Sequence, residues 1–156
     1  MPKDSRLGPD FPRVTLYLPH RPRGLIQLIE NPNAHALLSL NSNHWRKIVT
    51  LLAKIASPVA DGWRQFRDQD LFRDTALGFS PELDEGSHWH WIGGKENLQR
   101  FGHLHHDAQP LVDQSEVLID PDKRLLLTPY PDYRQLSNTM VDRIRVALES
   151  KGFYDT

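Results

Sequence analysis

The densest group of side chains that could do chemistry lies in residues 128–135, which read TPYPDYRQ. Tyr130 offers a ring that can stack on a nucleobase, an interaction worth about 1–3 kcal/mol per base. Asp132 could accept a hydrogen bond from a base edge or position a water molecule, and Arg134 nearby would keep that carboxylate ionised. The pattern predicts Tyr130 and Asp132 as catalytic residues and Arg134 as a ligand-binding residue. The alternative is a rigid, proline-braced turn in which the tyrosines pack.

A second loop, HRPRG at residues 20–24, follows the first predicted strand. Its two arginines, Arg21 and Arg23, could hold a phosphate or a carboxylate. We predict both as ligand-binding residues and His20, at the start of the loop, as a third catalytic candidate. A surface turn with two solvated arginines is the alternative.

A glycine turn follows the central predicted strand. Gly93, Gly94 and Lys95 resemble part of a phosphate-binding loop, although the leading glycine and the trailing hydroxyl of a P-loop are missing. Backbone N–H groups at such a turn can still bind an anion. We therefore predict all three as ligand-binding residues, with a tight turn that uses glycine for its backbone freedom as the alternative.

The eight histidines raise the question of a metal site. His88 and His90 are two residues apart on a predicted strand, so their side chains point to one face. The metalloprotease motif with two histidines four residues apart around a glutamate is missing. We predict no metal and no cofactor, and we keep a His-dependent metal hydrolase as the weakest alternative. Trp89 and Trp91 would share the opposite face, which is predicted to be the core side.

These loops need a scaffold that brings them together. Apolar patterning predicts strands at residues 14–18, 88–92, 117–119 and 125–127. Helical patterns between them predict an α/β fold, with a single three-layer α/β/α domain around a central, mostly parallel sheet of about four strands. Ligands in open α/β sheets bind at the carboxyl ends of the strands, where all three loops are expected.

The helical segments predict which side chains form the core. The clearest helix covers residues 44–56, where apolar side chains recur at spacings of three and four. A last helix follows Ser137, which is suited to cap it. Residues 68–87 are predicted to form a long acidic loop with one short element near 75–79. The side chains expected in the core are Trp45, Ile48, Leu52, Ile144 and Leu148.

Length and composition limit the classes of protein. A chain of 156 residues suits one domain, here residues 13–156 after an extended, proline-rich N-terminal arm at 1–12. Without cysteine there are no disulfides, which fits a cytoplasmic location. No apolar run approaches the roughly 20 residues that span a bilayer. The net charge of −1 hides an uneven distribution, since residues 1–24 hold five basic and two acidic residues.

Three local patterns, in order along the chain, resemble the uracil-DNA glycosylase superfamily. Asn43, His44 and Trp45 are similar to the Asn-x-Phe-Trp pattern on an early helix of that family. Residues 92–95, IGGK, resemble its glycine turn between a strand and a helix, and residues 128–131, TPYP, are similar to its His-Pro-Ser-Pro loop. The resemblance implies that Asn43 is a ligand-binding residue.

The resemblance also implies a three-layer fold, a nucleotide-sized cleft, and DNA or a nucleotide-like small molecule as the partner. Two loops depart from the family pattern. Residues 19–22 lack the Asp or Asn that positions water, and Tyr130 stands where a histidine would stabilise the leaving base. The enzyme class implied is at most a DNA-glycosylase-like hydrolase. A domain that binds a small molecule or a protein without catalysis is the main alternative, and no membrane partner is expected.

Overall fold

The computed structural model describes residues 5–112 and 115–155. The strands are β1 (Arg6–Leu7), β2 (Val14–Tyr17), β3 (Thr75–Gly78), β4 (Trp89–Gly93), β5 (Gln109–Pro110), β6 (Leu118–Asp120) and β7 (Leu125–Thr128). The helices are α1 (Leu25–Glu30), α2 (Ala34–Leu40), α3 (Asn43–Ala56), α4 (Trp63–Gln65), α5 (Leu71–Asp74), α6 (Lys95–Gln99) and α7 (Asn138–Ser150). A 3₁₀ turn (Ala60–Gly62) precedes α4, and a π-helical turn (Phe66–Asp70) joins α4 to α5.

The seven strands of the described residues form one mixed sheet in the order β1-β3-β2-β4-β7-β6-β5. Its centre, β3-β2-β4-β7, is parallel, whereas β1 pairs antiparallel at one edge and β6 and β5 pair antiparallel at the other. The α/β class is therefore confirmed, but the predicted number of about four strands is wrong. That number fits only the parallel centre, because β1 and β5 have two residues each and are too short to show a pattern.

β3 is the strand that the sequence analysis left as a short element in a long loop. Its four residues are all buried, so it shows no alternation of apolar and polar side chains. It pairs in parallel with β2, with Leu77 opposite Leu16, and antiparallel with β1. Strands of a parallel sheet are covered on both faces, and this is why periodicity alone does not reveal them.

One face of the sheet carries the main core. Leu77, Leu16, Trp91 and Leu126 lie opposite one another on successive strands, and all four are buried. Helices α1, α2, α3 and α7 pack their apolar sides on this face. The predicted core side chains are all buried: Trp45, Ile48, Leu52, Trp89, Trp91, Ile144 and Leu148.

The other face has a smaller core and a thinner cover. Tyr17, Ile92, Leu125 and Leu127 point to it and meet Phe101. Leu98 of α6 packs there, together with apolar side chains from the irregular segments at 83 and 104–108. The helices of the described residues thus lie mostly on one face, and the second face has only the short helix α6.

Side-chain caps define where two helices begin. The Asn33 side chain accepts a hydrogen bond from Ala36 N–H at 3.0 Å at the start of α2, two residues later than the cap expected at Asn31. Ser137 caps α7 as predicted, accepting from Met140 N–H at 3.3 Å. None of the described helices has the length and apolar character needed to cross a lipid bilayer.

Part of the predicted N-terminal arm belongs to the sheet. Residues 1–4 lie outside the described residues, but Arg6–Leu7 form β1 and pair with β3. Leu7 is buried in the main core, and the Arg6 guanidinium lies 3.0 Å from the Asp84 carboxylate. This contact ties the arm to the loop that precedes β4.

Leu52 provides a test of the core. It is fully buried on α3, so we expect Leu52→Ala to lower the free energy of unfolding by about 2–5 kcal/mol through lost apolar burial and the cavity left behind. Chemical denaturation followed by circular dichroism measures this. The control is Val146→Ala on the exposed side of α7, which should change stability by no more than about 0.5 kcal/mol. An unchanged unfolding midpoint for Leu52→Ala would contradict the assigned packing of α3.

Candidate functional site

The carboxyl ends of β2, β4 and β7 bring three loops side by side. The three strands are adjacent and parallel, with β4 in the middle. A hydrogen bond of 2.9 Å from Gly94 N–H to the Thr128 carbonyl continues the pairing beyond the ends of β4 and β7. The arginine loop, the glycine turn and the tyrosine loop therefore lie at the same edge of the sheet.

A buried hydrogen bond orients the tyrosine loop. The Trp91 indole N–H donates to the Thr128 hydroxyl at 2.8 Å, and that hydroxyl donates in turn to the next carbonyl of the loop at 2.7 Å. Pro131 then packs against Gly93, where a Cβ atom would lie only 2.7 Å from the proline Cδ. Glycine is required at 93 because of this close approach, and the loop is held directly over the end of β4.

Tyr130, His44 and His20 form a compact group at this edge, here called the His–Tyr–His cluster. The Tyr130 hydroxyl lies 2.8 Å from His44 Nε2 and 3.0 Å from His20 Nε2. The rings also stack, with Tyr130 and His44 centroids 5.1 Å apart at 10° and Tyr130 and His20 centroids 5.8 Å apart at 18°. The three side chains come from the loop after β7, the first turn of α3 and the loop after β2.

The chemistry of a phenol determines how the protons of this cluster are arranged. A tyrosine hydroxyl donates one hydrogen bond, so it donates to one imidazole and accepts from the other. When both histidines are neutral, one therefore carries its proton on Nε2 and the other on Nδ1. Moving both protons along the chain exchanges the two tautomers. The cluster can thus relay a proton between its imidazoles without a change of net charge.

Burial keeps two members of the cluster uncharged at neutral pH. It raises the pKa of Tyr130 to about 12. It also lowers the pKa of His20 below its ordinary value of 6.5, and the neighbouring His44 lowers it further. The cluster therefore offers hydrogen-bonding groups rather than a fixed charge, which suits the recognition of a neutral polar group.

An open cleft of about 510 Å³, here called the glycine cleft, lies beside Tyr130. One wall is stiffened by Asn97, whose amide donates to the Tyr17 carbonyl at 2.9 Å and whose oxygen accepts from Arg100 at 2.9 Å. At its edge, Lys95 Nζ lies 3.6 Å from a carboxylate oxygen of Glu116. The lining residues are Pro19, Gly93, Gly94, Lys95, Glu96, Asn97, Arg100, Glu116, Pro129, Tyr130 and Gln135.

A second open cleft of about 490 Å³, here called the arginine cleft, is lined by Arg21, Arg23, Ser39, Leu40, Asn41, Ser42 and Trp45. Its wall is braced by Asn41, which accepts from Arg23 N–H at 2.8 Å and donates to the Arg23 carbonyl at 3.2 Å. The Trp45 ring meets the His20 ring edge-on, with centroids 5.3 Å apart. The His–Tyr–His cluster thus contacts a wall residue of the arginine cleft through His20 and lines the glycine cleft through Tyr130.

Asp132 lies at the rim of the site and braces its own turn. Its carboxylate accepts from Arg134 N–H at 2.9 Å and lies 3.8 Å from Lys47 Nζ. The Arg134 N–H, followed by the charge of Lys47, holds the pKa of the Asp132 carboxyl below its usual value. An ionised, ion-paired carboxylate fits a positioning role rather than proton exchange near neutral pH.

The predicted site residues fall into separate groups in space. Gly93, Gly94, Lys95 and Tyr130 line the glycine cleft, and Arg21 and Arg23 line the arginine cleft. His20 joins the cluster. Asn43 and the Arg134 side chain are exposed and line neither of these two clefts.

Sequence reasoning missed three polar residues of the site. His44 was quoted within the Asn43–Trp45 pattern, but Asn43 was chosen as the binding residue. The useful signal was a histidine on the first turn of the clearest helix, directly after the 41–43 cap segment. Asn97 and Arg100 gave no signal, because their roles depend on contacts with the distant Tyr17 and Phe79 carbonyls.

The histidine pair on the other face of the sheet has separate partners. Tyr17 accepts from Asp84 N–H at 2.8 Å and therefore donates to His90 Nδ1 at 2.7 Å. Burial lowers the pKa of His90 to about 4, whereas His88 is exposed and lies 3.3 Å from Arg124. Within residues 5–112 and 115–155, no three His, Asp or Glu side chains are grouped so as to hold a metal ion.

A family comparison covers the whole of this site. The model of a family of unknown function, DUF6942, matches residues 5–149. The chain belongs to this family. No curated protein and no solved structure matches it significantly. The match includes both clefts and all three residues of the His–Tyr–His cluster, so the site lies within the DUF6942 region of the chain.

The coupling within the cluster can be measured by the pKa of His20. Protonated His44 disfavours a second positive charge, so we expect His44→Gln to raise the pKa of His20 towards 6.5. NMR titration of the imidazole ring protons measures this, and the control is the exposed His35→Gln on α2. An unchanged His20 pKa in His44→Gln would contradict the coupling.

The same shift predicts the direction of the pH dependence of stability. The pKa of His20 in the folded protein lies below its ordinary value of 6.5. Its contribution to stability is therefore fully present above pH 6.5 and is lost as the pH falls through the folded-state pKa.

Proposed function

We propose that this protein binds a nucleotide-like ligand, a base with at least one phosphate, either free or within single-stranded or damaged DNA. The ligand would lie at the carboxyl edge of the sheet, across the glycine cleft and the arginine cleft. The observation that carries this proposal is the His–Tyr–His cluster. Its stacked, uncharged rings lie at the sheet edge where α/β folds bind nucleotides.

The glycine cleft suits the base. Its volume lies within the range of about 300–1,000 Å³ that is typical of small-ligand pockets. Tyr130 offers a ring face and a hydroxyl, and Gln135 adds an amide that can donate and accept. A base edge needs both donors and acceptors, and these neutral groups supply them.

The arginine cleft suits the phosphate. Arg21 and Arg23 both line it, and guanidinium groups match phosphate oxygens in pairs of hydrogen bonds. Lys95, the lysine of the glycine turn, lies 3.6 Å from Glu116 and is partly neutralised. For this reason we assign the phosphate to the arginine cleft rather than to the glycine turn.

We also propose that the chain is a distant structural relative of the uracil-DNA glycosylase superfamily, with a three-layer α/β/α arrangement. Two observations support this: the three loops meet at one edge of the sheet in the expected order, and α6 lies on the face opposite the longer helices. A cytoplasmic location belongs to the same proposal.

Binding without base excision is the form of this function that the site favours. Excision needs a group that activates water, and the only predicted carboxylate of the three loops, Asp132, is ion-paired at the rim. The cluster itself could transfer a proton but does not supply a negative charge. A protein that keeps the fold and the cleft while lacking the chemistry is consistent with this arrangement.

Ligand binding can be tested with deoxyuridine monophosphate and a single-stranded 12-mer by calorimetry or fluorescence anisotropy. Tyr130→Phe removes one hydrogen-bonding group and should weaken mononucleotide binding by about 2- to 10-fold. Arg23→Gln should weaken it by about 10-fold or more, because its hydrogen bonds are charge-assisted. Tyr133→Phe is the matched control for Tyr130→Phe, since it removes the same atom outside both clefts.

The salt dependence decides whether phosphates are involved. If they are, the logarithm of the 12-mer affinity must fall linearly with the logarithm of salt concentration, by about 0.7 per phosphate contacted. Salt-independent binding, or no binding of either probe at low salt, would reject the nucleotide proposal. The remaining alternative would be a different small molecule or a protein partner.

Excision is a separate prediction with a separate assay. We expect no cleavable abasic site in uracil- or hypoxanthine-containing oligonucleotides after incubation with the protein and alkali. Strand cleavage that disappears in Tyr130→Phe would show that the cluster does catalyse excision, and would overturn the binding-only form of the proposal.

A further inference from the structure

A line of alternating cations and aromatic rings leads away from the site along the outside of α3. Lys54 Nζ lies 5.0 Å from the centre of the Trp63 ring and 5.8 Å from that of Tyr133. Lys47 Nζ lies 5.9 Å from the Tyr133 ring on the other side. Arg64 and Arg67 also approach the Trp63 ring, at 4.4 Å and 5.3 Å. These six residues are called the cation–aromatic strip.

The strip carries more positive than negative charge. Two of its four cations have carboxylate partners, since Lys47 lies 3.8 Å from Asp132 and Arg67 lies 2.9 Å from Asp68. Lys54 and Arg64 form no salt bridge within the described part of the chain, and Lys54 Nζ bonds instead to the neutral side chain of Asn138 at 3.1 Å. Three cations gathered around one indole repel one another, and a bound polyanion would relieve that repulsion.

The strip is continuous with the candidate site. Lys47 lies one helical turn beyond His44 on α3, and its ion-pair partner Asp132 belongs to the loop that carries Tyr130. From Lys47 to Lys54 the helix advances by seven residues, or roughly 10 Å. The strip therefore begins beside the His–Tyr–His cluster and covers a length comparable to a few nucleotides.

We propose that the cation–aromatic strip binds the backbone of a single-stranded nucleic acid, one nucleotide of which occupies the glycine cleft. This inference rests on the proposed function. Lys54 and Arg64 would contact phosphates, and the half-exposed ring of Tyr133 would stack on a base. A positive track with interspersed aromatic rings is how proteins bind single strands without strong sequence preference. The aromatic rings favour a nucleic acid over an acidic peptide, because a peptide of glutamates has no bases to stack.

The test compares a single-stranded oligothymidine 12-mer with thymidine monophosphate on the full chain. Lys54→Gln combined with Arg64→Gln removes two charges and keeps the aliphatic stems that pack on the rings. We expect 12-mer affinity at low salt to fall by about 10-fold or more, because two charge-assisted contacts are lost. The salt dependence should become shallower by about 1.4, or 0.7 for each contact. Mononucleotide affinity should stay unchanged.

The matched control is Arg143→Gln combined with Lys151→Gln, which changes the net charge equally at two exposed positions outside the strip. It should leave the 12-mer affinity within about twofold of the parent, since distant surface charges are largely screened. Circular dichroism confirms that each variant is folded. Equal losses in the control and the strip variant would show that only net charge matters and would overturn the proposal.

The remaining outcomes separate the strip from the cleft. Mononucleotide binding together with an unchanged 12-mer affinity in the strip variant would overturn the strip and leave the proposed function standing. A weakened 12-mer without any mononucleotide binding would support the strip and reject the cleft. Tyr133→Ala should weaken the 12-mer but not a poly-glutamate peptide. If the peptide binds as tightly as the 12-mer and Tyr133→Ala changes neither, the partner is not a nucleic acid.

Discussion

The hydrogen bond between Trp91 and Thr128 connects the core of this protein to its candidate site. Trp91 is fully buried on the central strand β4, and a buried indole N–H without a partner would cost free energy. Thr128, the last residue of β7, supplies that partner and passes the hydrogen bond on to the tyrosine loop. Because of this link, the packing of the core also sets the direction in which the loop leaves the sheet, and hence the position of Tyr130.

Helix α3 serves both stability and the site. Trp45, Ile48 and Leu52 pack into the main core, while His44 at its first turn joins the cluster. Its last turn is held by Arg145 of α7, which donates to the carbonyls of residues 54, 55 and 57 at 2.8–3.1 Å. These contacts satisfy carbonyl groups that the end of a helix leaves unpaired. The geometry of the site therefore depends on the packing of α3 against both the sheet and α7.

Charge and neutrality are divided between different parts of this edge. Burial keeps Tyr130 and His20 uncharged at the cluster, whereas the cationic side chains lie in the arginine cleft and along the outside of α3. A ligand with an uncharged ring and an anionic tail would match both parts. Asp132 and Lys47 stand where the two parts meet, and their ion pair holds the tyrosine loop against α3.

Local patterns in the sequence were enough to determine the α/β class, the parallel centre of the sheet, the core faces of α3 and α7, and the loops at the carboxyl edge. Periodicity and turn residues act within a few positions of each other, so these features are legible in one dimension. β3 could not be recognised because a strand buried on both faces lacks alternation, and β1 and β5 are too short. The partnership of His20 with His44 and Tyr130, and the distance of Asn43 from the clefts, were decided only by the tertiary structure. Those residues are up to 110 positions apart, and only the pairing of β2, β4 and β7 brings their side chains within hydrogen-bonding distance.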